Sequence, residues 1–73
     1  MRNNMFAVVV NAANGVVRTV ETGEVIGHVS EGLDDLVSVH LSAHGGEVYV
    51  QHTEETRPAS GYIVHRYAVE VVN

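Results

Sequence analysis

The chain has no cysteine, no tryptophan and no lysine, and one phenylalanine and one proline among its 73 residues. Without cysteine there is neither a disulfide framework nor a thiolate-ligated zinc site. A domain this short buries a modest share of its surface and needs support beyond its core. Tight packing, a histidine-bound metal or oligomerisation remain as sources of that support. The lack of cysteine fits a reducing compartment. Long apolar runs are missing as well. The first, Met5 to Val10, is six residues long and preceded by Arg2, too short for a signal sequence or a membrane span. We therefore expect a soluble, cytoplasmic protein of one domain (residues 1–73) with no membrane partner.

Positive charge is also scarce. The four basic residues are Arg2, Arg18, Arg57 and Arg66, and none lies between Glu21 and Glu55, a segment with eight carboxylates. Binding to a phosphate backbone needs clustered cations, so no direct nucleic-acid binding is expected. The acidic segment reads either as a solvated surface that keeps a small protein soluble or as a face that meets a basic partner protein.

Valine is what the chain has in excess, with sixteen copies in short runs. Its branched side chain is stiff and suits a pleated surface, so strands are expected. Met5 to Val10 reads as a strand apolar on both faces, hence central or covered. Asn11 to Gly15 has turn chemistry. Val16 to Glu21 and Glu24 to Val29 read as strands two and three, joined by a turn with Gly23 in the left-handed region. These three form an antiparallel meander, and Gly27 marks a bulge or a close approach.

From Ser30 the pattern forks. Leu33, Leu36, Val37, His40, Leu41 and His44 share one helical stripe. Ser30 is placed as an N-cap, Glu31, Asp34 and Asp35 near the first turn, and Gly45 as a C-cap. Residues 36–42 also alternate as a strand would, and Val and Ser are poor helix formers, which gives an all-β alternative. The stretch AHGGEVYV, Ala43 to Val50, resembles the helix–glycine–strand junction near the end of histidine-kinase-type ATPase domains. The resemblance covers roughly the last half of the chain and implies a helix, a strand and a second antiparallel strand. That family's nucleotide loop and helical asparagine have no counterpart here, so it implies local structure and not the activity. The helix is preferred.

Glu47 to Thr53 then reads as a strand, Glu54 to Gly61 as a polar loop, and Tyr62 to Val72 as a long final strand with Ile63, His65, Tyr67, Val69 and Val71 on its core side. The expected fold is α+β: an antiparallel sheet of about five strands with one helix on one face, in the order β-β-β-α-β-β.

His40 and His44 have the i, i+4 spacing by which a helix offers two imidazoles to one metal, and His28, His52 and His65 could add ligands. The plainer reading, favoured here, puts both on the sheet-facing stripe or its edge, with no metal and no cofactor. No elbow motif surrounds Ser38, Ser42 or Ser60, and no phosphate loop is present. The chain is therefore expected not to be an enzyme. It reads as a small acidic protein-binding module that meets a basic partner through Glu31, Asp34 and Asp35. By analogy, mobile elements and viruses encode inhibitors and accessory proteins of this kind. The alternatives are a structural subunit of a homo-oligomer and a histidine-ligated metal protein.

Overall fold

A computed structural model describes residues 2–43 and 46–72. The elements are β1 (Arg2–Asn11), β2 (Val16–Thr19), β3 (Val25–His28), a 3₁₀ turn (Val29–Glu31), α1 (Leu33–Ser42), β4 (Glu47–Ala59) and β5 (Tyr62–Val72). The strands form one antiparallel sheet in the order β3-β2-β1-β5-β4. The expected α+β architecture is what the chain adopts, and residues 36–42 are helical.

Helix α1 lies on one face of this sheet. Leu36 and Val37 are buried against Val8, Val10, Val17 and Tyr67, with Phe6, Ile26, Leu33, Leu41 and Val50 packed around them. Burial of such side chains contributes about 1.5–3 kcal/mol each. The helical stripe is therefore the one read from the 3.6-residue spacing, and Val39, off the stripe, is exposed. On β1 the even residues Phe6, Val8 and Val10 point to the helix. The strand is central, as its apolar content implies, but among the described residues only one of its faces is covered.

Gly27 serves both of its expected purposes. The β2–β3 register slips beside it, with Val17 opposite Gly27 and Arg18 opposite Val25. A Cβ at this position would also stand 2.6 Å from Leu36 Cδ2 and force a φ of +153° on a side-chain-bearing residue. The missing side chain is what lets α1 settle onto β3.

Three local expectations are corrected. Ser30 is not the helix N-cap. Gly32 occupies that position without a side-chain bond, and capping is displaced to the 3₁₀ turn. There the Glu31 carboxylate accepts from the backbone N–H of His28 at 2.9 Å, and the His28 ring nitrogen accepts from that of Ser30 at 3.1 Å. Residues 54–59 are not loop but the outer part of β4. An edge strand tolerates Pro58, which has no N–H to donate, because one of its sides carries no ladder, and register shifts at His52/Glu54 and Thr56/Ala59 absorb the irregularity. β2 stops at Thr19, where its hydroxyl is 2.7 Å from that of Thr22 and the Gly23 N–H closes the turn onto its carbonyl. The Gly45 cap lies outside the described residues; the last turn ends at Ala43, whose N–H bonds to Val39 O at 3.1 Å. Among the described residues no helix is long and apolar enough to cross a membrane.

Candidate functional site

The three carboxylates expected to meet a partner all stand where α1 begins, but they are not equivalent. Glu31 is committed to the 3₁₀ cap. Asp34 accepts a 2.6 Å hydrogen bond from the hydroxyl of Tyr67, whose residue is 0 % exposed. Burial, together with that bond to an anion, holds the Tyr67 phenol far above its ordinary range. Asp35 is exposed and, among the described residues, makes no side-chain hydrogen bond or ion pair. All three lie at the positive end of the helix dipole, which favours carboxylates there.

The fold redistributes the other acids. Glu55 pairs with Arg57 at 3.1 Å and Glu54 with Arg66 at 3.6 Å, so two carboxylates of the acidic segment acquire cations from beyond it in sequence. Such exposed pairs are worth little in energy, yet they cancel charge on the β4–β5 arm. Among the described residues no Arg stands within ion-pair reach of Glu31, Asp34 or Asp35. The start of α1 is therefore one of the places where negative charge stays uncompensated, together with Glu21, Glu24 and Glu47.

A histidine pair stands beside this surface, but not the one the spacing singled out. His44 lies outside the described residues. His40 is half-buried on the helix, its ring 5.7 Å from that of Phe6, at the edge of the stripe. The imidazoles that meet are His52 on β4 and His65 on β5, with Nε2 and Nδ1 3.0 Å apart. The His52 ring also stands edge-on to Tyr67, centroids 5.2 Å apart, and Glu55 Oε1 is 3.9 Å from His65 Nδ1. A polar line thus runs from Asp34 through Tyr67 to the two imidazoles. Burial, and then the neighbouring His52, lower the pKa of His65 from its ordinary 6.5. The pair can share one proton between ring nitrogens, either of which can donate. Among the described residues no group of three or more His, Asp or Glu is placed to hold a metal ion.

The alternation of the last strand puts His65 on its core side, whereas for His52 the alternation of Glu47 to Thr53 leaves the face open. A plain hairpin closing at Ala59–Tyr62 would set His65 opposite Thr56. The two register shifts in β4 slide the strand so that Glu55 faces His65 and Tyr67 faces His52. The only sequence signal of those shifts was the polar, proline-bearing stretch read as loop.

One serine–histidine contact also exists, Ser30 Oγ to His28 Nδ1 at 2.7 Å. It belongs to the scaffold. The same Nδ1 accepts the Ser30 backbone N–H, and Nε2 bonds to Asn14 O at 2.8 Å. The ring ties the β1–β2 loop to the approach to α1.

No protein-family model, curated protein or solved structure matches this chain.

Proposed function

We propose that this chain is a small non-enzymatic protein-binding module, and that it meets a basic partner protein through the acidic surface at the start of α1. The observation that carries this reading is the uneven neutralisation of the acidic segment. Glu54 and Glu55 receive Arg66 and Arg57, whereas among the described residues Glu31, Asp34 and Asp35, like Glu21, Glu24 and Glu47, receive no Arg, and only the first three gather at one helix end. An uncompensated field of one sign speeds encounter with the opposite sign and sets orientation. The scaffold use of His28 and Ser30 supports a non-catalytic role. The engagement of Arg57 and Arg66 by carboxylates supports a protein partner over a nucleic acid. An inhibitor or accessory role fits a contact of this kind.

Asp35 is the residue to test, because its neighbours Glu31 and Asp34 also hold the fold. A partner captured from the native host is titrated against wild type and Asp35→Lys at low and physiological salt. The expected result is an affinity lowered about tenfold with a shallower salt dependence, against a loss of stability of only about 1 kcal/mol from the reversed charge at the helix dipole. Equal affinity and equal salt dependence would reduce the acidic surface to a solvated face.

A further inference from the structure

Among the described residues nothing covers one face of the sheet. Met5 on β1, Tyr49 on β4 and Tyr62 on β5 are 64 %, 57 % and 47 % exposed there, beside half-buried Val9, Val64 and Ala68. Contiguous apolar surface of this kind marks an interaction site. It also carries an ordered pattern of charge. On β5, Arg66 and Glu70 stand two residues to either side of Ala68, and register and alternation put all three on the open face, with Ala68 opposite Met5 and Gln51.

We propose that this face binds a second copy of the chain in a two-fold, face-to-face dimer centred on Ala68. Whatever covers the face strips water from the carboxylate of Glu70, a residue already half-buried, a costly step unless the covering surface brings a cation. Among the described residues Glu70 has no ion-pair partner in its own chain. A second copy supplies one. Rotation about a two-fold axis lying in the interface, perpendicular to the strands at Ala68, lays β5 antiparallel over β5. Each Arg66 then stands over Glu70 of the other copy, and Ala68 meets Ala68, where the small side chain lets the sheets approach. This is the self-complementary pattern an isologous interface requires. It also matches aligned sheet packing, in which strand directions stay within about 30° and the layers lie about 10 Å apart. The Arg66–Glu54 pair, at 3.6 Å between exposed side chains, is weak enough to be shared with the second copy. Area agrees as well: the domain measures 39 × 20 × 19 Å, so its broad face offers about 800 Å², the share per partner of a standard interface. A membrane surface or a nucleic acid would leave Glu47 and Glu70 without cations.

Sedimentation equilibrium of the full chain from micromolar to millimolar concentration tests the proposal, with Arg66→Glu, Glu70→Arg, the double swap R66E/E70R and Ala68→Arg. Wild type is expected to be dimeric. Each single charge change should raise the dissociation constant by about a hundredfold, because it sets like charges against each other across the interface. The double swap should restore association. Ala68→Arg should give monomers whose far-UV circular dichroism is unchanged, which separates dissociation from unfolding. A wild type that is monomeric at millimolar concentration overturns the proposal, even if another protein then protects the face. So does a dimer indifferent to both single charge changes, as one formed through the β4 edge would be.

Discussion

The two faces of this sheet are made by alternate residues of the same strands. On β1, Phe6, Val8 and Val10 go under the helix, and Met5, Ala7 and Val9 go to the other side. Apolar content hardly differs between the two sets, yet one is a core and the other a surface. Hydropathy along a strand therefore reports how many faces call for a cover, not how many the chain itself covers. What distinguishes the faces is detail. The covered one has close approach at Gly27 and a tyrosine hydroxyl satisfied by Asp34. The open one has long, exposed side chains and a charge of each sign on β5.

The contrast can be broken most forcefully from the covered side. Leu36→Ala should cost about 2–5 kcal/mol, the range for a buried leucine truncated in a packed core, and should unfold a large share of molecules at room temperature. Met5→Ala, on the open face, should change monomer stability by less than about 0.5 kcal/mol. Urea denaturation at concentrations low enough to keep the chain monomeric compares the two, and equal losses would mean that the open face is part of the core.

A smaller effect is expected at the seam between helix and sheet. Tyr67→Phe keeps the packed ring and removes only the bond to Asp34, for a loss of about 1–2 kcal/mol, near the lower end for a hydrogen bond to a charged group because Asp34 regains water. The folded phenol titrates above its ordinary 10.0. Above pH 10 the unfolded chain sheds a proton that the native chain keeps, so stability falls as pH rises. Thermal melts across that range should show a shallower decline for Tyr67→Phe than for wild type.

The smallest effect concerns His65. Its folded pKa lies below the ordinary 6.5, so the native chain resists a proton that the unfolded chain accepts. Nothing is lost above that pH, and stability declines as pH falls below it toward the folded value. His65→Gln should flatten this part of the profile. An identical acid profile in the variant would show that the titration of His65 is not linked to folding.

Much of this arrangement was legible in the sequence, because it rests on periodicity. The apolar stripe of α1, the core side of β5 and the β1–β3 meander follow from spacings of 3.6 and 2. Gly27 was readable because a glycine within a strand has few other uses. The remainder depends on contacts that spacing does not encode. The cap was misplaced because histidine is not a usual N-cap residue, and His28 acts as one only through Glu31 and the β1–β2 loop. The outer part of β4 looked like loop because an edge strand tolerates polar residues and proline. With that arm missing, the slide that brings His52 to His65 could not be deduced. At the candidate site, the position of Glu31, Asp34 and Asp35 at the helix start was readable. The attachment of Asp34 to Tyr67, 33 residues away, was not.

The placing of β5 between β1 and β4 governs how the fold can be assembled. β1 and β5 pair along ten residues, from Arg2 opposite Val71 to Asn11 opposite Tyr62, so the centre of the sheet joins the earliest and latest described segments of the chain. As the polypeptide leaves the ribosome, β1 to β3 and then α1 can form locally. The groove that receives β5 nevertheless stays empty until β5 itself has been made, after every other described element. Contacts this distant in sequence close slowly, and until they close, the long edge of β1 remains open to strands of neighbouring chains. The same topology makes the segment between α1 and β4 a natural place to divide the molecule. Residues 2–43 and 46–72 would be complementary fragments, each lacking the strand that the other supplies.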